Sequence, residues 1–209
     1  MKHYIAAATL LIAPSSTFAE NYIELGYASG SAKTTYTSGI SFKNDTTGFV
    51  LLANYDMNDN FGIGLSYGSA TGSGDLSGTK FDYSGTVTSI TPIYYLQNTL
   101  SRQTGEGQTV GLGVEFNQVD LKVNNITDKS TGTDIVLVAG LGLGDGLSAF
   151  VAYETDTKNL GGDSSSTIGI SYAAFGNGFV TLQGSTYNSD VDDVETSGTE
   201  WAISYSIGF

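Results

Sequence analysis

The sequence predicts an all-β protein whose strands form a closed, antiparallel, up-and-down barrel. Three observations predict this fold class. Large apolar side chains recur at every second position in about ten segments. The connections between these segments are alternately short and long. The face opposite the apolar residues consists mainly of Gly, Ala and Ser, in a chain in which 28 residues are Gly and only 14% are charged.

Residues 1–19 form a predicted signal peptide. Lys2 and His3 precede an apolar run that Pro14 ends, and small residues around Ala19 offer a cleavage point. The run is about half the roughly 20 residues that a membrane-spanning helix needs. We therefore expect a signal peptide over 1–19 and a single barrel domain over 20–209.

Two kinds of connection separate the predicted strands. The connections 56–60, 144–146 and 175–178 are short and rich in Asn, Asp and Gly, as tight hairpin turns prefer. The predicted strands are 21–31, 46–56, 60–72, 81–97, 108–123, 133–144, 147–157, 166–175, 179–188 and 198–209. The predicted long loops are 31–45, 73–80, 124–132, 158–165 and 189–197. Ten strands place both termini at the short-turn end, and eight strands are the alternative. The long connection 97–108 at that end has no explanation in the sequence.

The two faces of the strands distinguish a membrane barrel from a soluble one. In the last strand, large apolar residues from Trp201 to Phe209 alternate with small residues from Ala202 to Gly208. The small face is too uncharged for a solvated exterior, so the apolar face must point outward, where only lipid stabilises it. Because a backbone in lipid must satisfy its own hydrogen bonds, we expect the first and last strands to pair.

Two segments break the alternation. Pro92 has no N–H to donate to a neighbouring strand, and the apolar phase slips between Phe116 and Val119. A β-bulge would restore the phase in either case. We therefore predict a bulge in the second segment, and a bulge or another irregular site at Pro92.

These features together resemble the small outer-membrane β-barrel proteins of Gram-negative bacteria. The motif that carries the resemblance is Trp201-x-Ile203-x-Tyr205-x-Ile207-x-Phe209, following a signal peptide and alternating strands. The resemblance implies export through the periplasm, insertion in the bacterial cell outer membrane, and short turns that face the periplasm. It implies that Trp201, Tyr205 and Phe209 form the signal for the barrel-assembly machinery, and that outer-membrane lipids and lipopolysaccharide are partners.

The composition excludes most enzymatic and nucleic-acid functions. The enzymatic members of this class rely on a histidine, whereas the only histidine here is His3, and there is no Cys. Nucleophile–base pairs and most zinc sites therefore cannot be built in the mature chain. We expect no enzyme and no cofactor. The net charge of −13 leaves no basic stripe for nucleic acid, and we expect a monomer.

Five acids share the phase of the small residues and are predicted to line the lumen of the barrel: Glu24, Asp56, Glu115, Glu154 and Glu200. Few bases lie nearby, since the lysines fall in or near the long connections and Arg102 falls in the connection 97–108. Gly-rich walls leave space for water, so we predict a narrow, cation-preferring, porin-like passive pore. The alternatives are a dry lumen that holds protonated acids, and a structural or adhesin-type barrel whose loops bind host, phage or envelope components.

The densest acidic stretch of the sequence has two interpretations. Clustered carboxylates supply the oxygen ligands of a divalent-cation loop, but the spacing is not that of a known calcium loop. A solvated surface loop is the favoured interpretation. The four acids are Asp190, Asp192, Asp193 and Glu195.

Overall fold

The computed structural model describes residues 21–209 except 40, 77–78, 124–125, 158–162 and 192–193. Within these residues, ten antiparallel strands form one closed barrel in which each strand pairs with its sequence neighbours and the first pairs with the last. The strands are β1 (Tyr22–Tyr36), β2 (Ser41–Asn58), β3 (Phe61–Leu76), β4 (Thr79–Asn98), β5 (Gln108–Val123), β6 (Ile126–Gly144), β7 (Leu147–Asp156), β8 (Asp163–Ala173), β9 (Gly178–Val191) and β10 (Val194–Gly208). The prediction of ten strands is confirmed, and the alternative of eight is wrong.

The pairing of β1 with β10 closes the sheet, as the sequence predicted. Their ladder runs from Tyr22 opposite Gly208 to Tyr36 opposite Val194. At the same end as residue 209, Asp145 and Gly146 connect β6 to β7 with φ values of 52° and 75°. Two positive φ angles are what a two-residue hairpin turn requires. We call this the turn end. No helix in the described ranges is long and apolar enough to cross a membrane, and the predicted signal peptide lies outside them.

Part-way along the strands, the outward side chains change from apolar to polar, and apolar side chains point inward instead. The change is clear on β5, where Val119 and Leu121 point inward and are buried while Gln118 and Asp120 point outward. Nearer the turn end, the same strand directs its apolar residues outward. These outward residues are Val110, Leu112, Val114 and Phe116, each between 38% and 50% exposed. One part of the barrel therefore has the apolar exterior that lipid requires, and the other has the polar exterior of a soluble barrel.

We call the part with the polar exterior the extension. It comprises 29–36, 41–47, 69–76, 79–88, 118–123, 126–133, 155–156, 163–166, 185–191 and 194–199. Four segments that the sequence predicted as loops, 31–45, 73–80, 124–132 and 189–197, are therefore mostly strand, and those predictions are wrong. The reason is the reversal: strands with polar residues outside and small or apolar residues inside do not show the pattern of a lipid-facing strand.

The predicted irregularities are partly confirmed. On β4, Ile90 and Ile93 pair with β5, but Thr91 and Pro92 between them do not, as expected where proline offers no N–H. The shift of register on β4 lies further along, between Tyr95 and Gln97. The bulge predicted in β5 is wrong, because the register of β5 with both neighbours is continuous from 116 to 119. What looked like a slip of phase is the reversal of faces.

Candidate functional site: the lumen of the barrel

The unexplained connection between β4 and β5 folds across the turn end of the lumen. We call residues 99–107 the plug. Its backbone accepts hydrogen bonds from the β6–β7 hairpin, from Gly142 N to Gly107 O at 2.9 Å and from Gly146 N to Thr104 O at 3.0 Å. Leu100 is buried and belongs to the same apolar cluster as Tyr22 and Phe150. The extra length of this connection therefore supplies side chains that fill the lumen.

Arg102 is the central residue of the plug and is fully buried. Its Nη2 donates to hydroxyl oxygens of three strands: Ser171 at 3.0 Å, Thr181 at 3.3 Å and Ser206 at 2.8 Å. The guanidinium also lies against two rings, 5.0 Å from the centroid of Tyr22 and 4.2 Å from that of Phe179. A cation that is removed from water gains substantially from such ring contacts. Arg102 thus joins the plug to strands across the lumen.

The five predicted lumen acids all lie on the inward side of their strands. Glu24, Glu115 and Glu200 are buried, and Asp56 and Glu154 are partly buried. Neutral side chains hydrogen-bond to four of them. The donors are Ser204 Oγ to Glu24 (2.7 Å), Asn54 Nδ2 to Asp56 (3.0 Å), Thr91 Oγ1 to Glu115 (3.3 Å) and Ser165 Oγ to Glu154 (3.1 Å). Their predicted role in cation passage stays a prediction.

One base does lie near these acids, in keeping with the expectation that few do. Ser206, which accepts from Arg102, lies directly opposite Glu24 in the β1–β10 ladder. The sequence analysis placed Arg102 in the connection 97–108, and the structure brings this residue next to one of the predicted acids. A single arginine therefore provides positive charge at the turn end.

Further acids that were not predicted face the lumen. Asp134 lies directly opposite Glu115 on one side and Asp156 on the other, and Asp163 faces inward on β8. Asn117 Nδ2 donates to Asp134 at 2.5 Å. The signal for Asp134 was present in the sequence, because it shares the even-numbered phase of the small residues Gly140 and Gly142 on β6. The acids of β5 to β8 therefore form a wider group than the sequence analysis indicated.

At the other end of the lumen, the extension is filled mainly by aromatic side chains. Phe81 lies 5.5 Å from Phe42 and 6.4 Å from Tyr83 between ring centroids. Asn44 Nδ2 donates to the Tyr83 hydroxyl at 3.0 Å, and Thr46 also hydrogen-bonds to it. Tyr187 comes from β9, on the opposite side of the barrel order from β4, and its ring lies against Gly198 of β10. Aromatic side chains from opposite walls therefore project into the interior of the extension.

Inward glycines make room for rings rather than for water at four positions. In each case a ring contacts the glycine directly opposite it on the neighbouring strand, so that a Cβ would collide with the ring. The pairs are Tyr83 with Gly72, Phe81 with Gly74, Phe150 with Gly169, and Tyr187 with Gly198. The expectation that Gly-rich walls leave the lumen open is wrong at these positions, because the aromatic residues that fill the space come from neighbouring strands.

The acidic stretch at the tip of β9 and β10 is only partly described. Asp190 and Glu195 lie directly opposite each other and are exposed, while Asp192 and Asp193 lie outside the described residues. Within the described part of the chain, no three acidic, His or Cys side chains are grouped so that they could hold a metal ion. The divalent-cation loop therefore stays an untested prediction.

The three residues of the predicted insertion signal all lie on the outer surface. Trp201 is 49% exposed, Tyr205 43% and Phe209 69%. The Trp201 ring packs 5.9 Å from that of Tyr27 on the neighbouring strand. Their outward position agrees with an apolar belt, and their recognition by assembly machinery stays a prediction.

An exposed ion pair on the extension gives a pH prediction. Lys129 Nζ donates to Asp120 Oδ2 at 2.8 Å, and this hydrogen bond lowers the pKa of the Asp120 carboxyl below its ordinary value. A lowered pKa in the folded state stabilises the fold above the unfolded pKa, and this contribution is lost as the pH falls through the folded value. Because both groups are exposed, we expect a small effect on stability.

We expect a carboxyl NMR titration to place the pKa of Asp120 lower in the wild type than in Lys129→Ala. The variant Lys43→Ala, which removes a lysine elsewhere on the extension, serves as the control and should leave Asp120 unchanged. An Asp120 titration that is the same in Lys129→Ala and the wild type would contradict the assignment.

A closed ten-stranded barrel with an apolar outer belt and a polar lumen defines a transmembrane β-barrel. The fold is that of known bacterial outer-membrane barrels. It is similar to the outer-membrane protease OmpT from Escherichia coli, with a TM-score of 0.53 and 11% identity over 97% of this chain and 100% of that one. It is also similar to the translocator domain of the autotransporter NalP from Neisseria meningitidis, with a TM-score of 0.52 and 10% identity over 100% of this chain and 94% of that one.

The transport unit of the autotransporter AIDA-I from Escherichia coli shows the same likeness, with a TM-score of 0.52 and 10% identity over 100% of this chain and 96% of that one. No protein-family model matches the chain, and no curated protein sequence matches it. At such low identity these structures establish the fold alone. The chain has the fold of an outer-membrane β-barrel, as its sequence predicted.

Proposed function

We propose that this protein is a non-conducting outer-membrane barrel that presents its extension as an interaction surface for host, phage or envelope components. The observation that carries the proposal is the filling of the lumen at two levels. Arg102 spans the turn end, and aromatic side chains from opposite walls occupy the interior of the extension. Ions would have to displace both sets of side chains to cross.

The extension supports the second half of the proposal. Its outer wall is polar and is built on continuous strand pairing, as between β3 and β4 up to Asp75 opposite Lys80. A rigid wall of this kind holds its side chains in fixed positions, which lowers the entropy cost of binding a partner. The alternative, a narrow cation-preferring pore, is favoured by the group of inward acids on β5 to β8, and the same experiment decides between the two.

We expect the purified wild-type protein to show no channel steps in planar bilayers. We expect the double variant Arg102→Ala/Tyr187→Ala to conduct, because it removes one side chain from each filled level. The matched control is Gln103→Ala/Asn188→Ala, which changes the adjacent residues whose side chains are exposed. Heat-modifiable migration on a gel verifies that each variant has folded.

Steady cation-selective steps from the wild type and the control would overturn the proposal and establish the pore. A closed wild type supports the first half only, so the second half needs a binding measurement. We expect proteoliposomes to bind target cells or envelope material, and Ser31→Glu/Thr199→Glu on the outer wall to weaken that binding. Equal binding by liposomes without the protein would overturn it.

The remaining expectations on function belong to the same proposal. We propose a monomer that contacts outer-membrane lipids and lipopolysaccharide, that is assembled by the barrel-assembly machinery, and that binds no nucleic acid. We propose no enzymatic activity, and the sequence supports this because the barrel domain contains neither His nor Cys. The protease activity of OmpT belongs to that protein and is not carried over.

A further inference from the structure

The wall of the extension has a gap above β7. Strand β6 pairs with β5 up to its first residue, Ile126. On its other side, β6 pairs with β7 only as far as Asp134. Just beyond that pair, Thr157 N donates to Thr133 O at 3.0 Å. Within the described ranges, residues 126–132 of β6 therefore have a partner strand on one side only, over a length of about 23 Å. We call these residues the free edge.

The peptide groups of alternate residues point from the free edge into the gap. In an antiparallel sheet, one residue directs its N–H and C=O to the strand on one side, and the next residue directs them to the other side. Because the Thr133 carbonyl points toward β7, the peptide groups of Thr131, Lys129 and Thr127 point the same way. Such groups are a template for a further strand. The Lys129 side chain leaves the gap open, since its Nζ donates to Asp120 Oδ2 of β5 at 2.8 Å.

A row of inward acids crosses the bottom of the gap. Asp134 on β6 lies opposite Glu115 on β5 and opposite Asp156 on β7. Asp163 begins β8 and continues the row, because the ladder between β7 and β8 ends one residue before it. Asp163 Oδ1 is buried and accepts no hydrogen bond from the residues that the structure describes. Like charges directly opposite each other are unfavourable, so a cation that enters the gap is favoured.

We propose that the free edge binds an extended, basic peptide of a partner protein as an additional strand, antiparallel to β6. The side chains of this peptide that point inward lie beside the inward face of the free edge, where Asp128 adds a further acid. The basic side chain nearest the membrane reaches Asp134 and Asp163. Two requirements select the partner: free N–H groups on an extended backbone, and Lys or Arg at every second position. This inference rests on the proposed function, and it names the class of partner that the extension binds.

Three synthetic peptides of about eight residues test this with the whole barrel in detergent micelles. The first alternates Thr and Lys, and the second alternates Thr and Glu. The third is the first with N-methyl groups on its Thr nitrogens, which face the free edge when the lysines point inward. We expect fluorescence anisotropy to show binding of the first peptide and at least tenfold weaker binding of the other two.

Amide hydrogen exchange measured by NMR distinguishes an added strand from attraction by charge alone. In the free protein, we expect the amide hydrogens of Thr127, Lys129 and Thr131 to exchange faster than those of Ser130 and Gly132, whose N–H groups point toward β5. The first peptide should slow the exchange of the first group only. Rapid exchange that the peptide does not slow, or amides already protected in the free protein, would overturn the proposal.

Two double variants test the row of acids. Asp134→Asn/Asp163→Asn should weaken binding of the first peptide by about tenfold. The matched control is Asp45→Asn/Asp82→Asn, which neutralises two exposed acids on the outer wall of the extension and should leave binding unchanged. Heat-modifiable migration verifies folding, and the comparison of the three peptides on the wild type needs no variant.

Equal binding of the first and third peptides would overturn the addition of a strand, and equal binding by the two double variants would overturn the role of the acids. A barrel that binds target cells but none of the peptides would refute this inference and leave the proposed function standing. A barrel that binds the first peptide but conducts ions in planar bilayers would refute the non-conducting half of the proposed function and support the free edge as a binding site.

Discussion

Arg102→Ala is expected to lower the free energy of unfolding by about 3 kcal/mol. The substitution removes hydrogen bonds from a buried cation to Ser171, Thr181 and Ser206, and it removes the contacts with the rings of Tyr22 and Phe179. Burying a charge is itself unfavourable, and the variant no longer does so. The free energy of unfolding therefore falls by less than the sum of the lost contacts. Urea-induced unfolding in lipid vesicles, followed by Trp201 fluorescence, measures the change.

Two variants separate the role of Arg102 from that of the loop around it. Gln103→Ala changes the adjacent residue, whose side chain is exposed, and should stay within about 0.5 kcal/mol of the wild type. Arg102→Lys keeps the charge but lacks the planar fork that reaches several hydroxyls at once, so we expect it to recover only part of the loss. An Arg102→Ala barrel as stable as the wild type would show that the plug is not anchored through this side chain.

Gly72→Ala is expected to destabilise the barrel by about 2 kcal/mol. A Cβ at Gly72 would collide with the Tyr83 ring and with the Asp45 carbonyl oxygen. The ring would have to leave its position, and with it the hydrogen bonds that Tyr83 makes with Asn44 and Thr46. Thermal unfolding monitored by circular dichroism, with gel migration as a second measure of the folded fraction, detects the effect.

Gly85→Ala is the matched control, since Gly85 is also a glycine of the extension. There the nearest atoms to a Cβ would be Asp120 O at 3.5 Å and Leu121 Cδ1 at 3.7 Å, which is ordinary contact. We expect this variant to unfold at the wild-type temperature or slightly above it, because alanine loses less backbone entropy than glycine. Equal destabilisation in both variants would indicate a general requirement for glycine in these strands, and not a specific packing contact between Gly72 and the Tyr83 ring.

Local patterns carried the prediction of the fold. Period-two alternation located all ten strands, and the outward residues of β10 from Trp201 to Phe209 predicted the apolar belt and the closure with β1. These features depend on residues two apart in the chain, which a single sequence displays directly. The same parity would have found Asp134, had it been applied along the whole of β6.

The plug and the filled lumen depend on contacts between residues far apart in the chain. Arg102 meets Ser206 across 104 positions of sequence, and nothing local indicates that its connection folds inward. Two anomalies did point there: the length of the connection 97–108, and the presence of the chain's only arginine within it. Likewise, only the register shows that Gly198 lies opposite Tyr187. The composition gives the number of glycines but does not show which of them lie opposite aromatic rings.

The reversal of faces along the strands also determines how deep the barrel sits in the bilayer. If the barrel sank by one outward row, β5 would bring Gln118 into hydrocarbon and β6 would bring Thr131, and the other strands would follow together because the sheet is closed. If it rose, Tyr27 and Trp201 would leave the interface where aromatic rings are favoured. Each of the ten strands therefore contributes to fixing the depth of the protein in the bilayer. As a result, the extension projects from the membrane by a fixed distance.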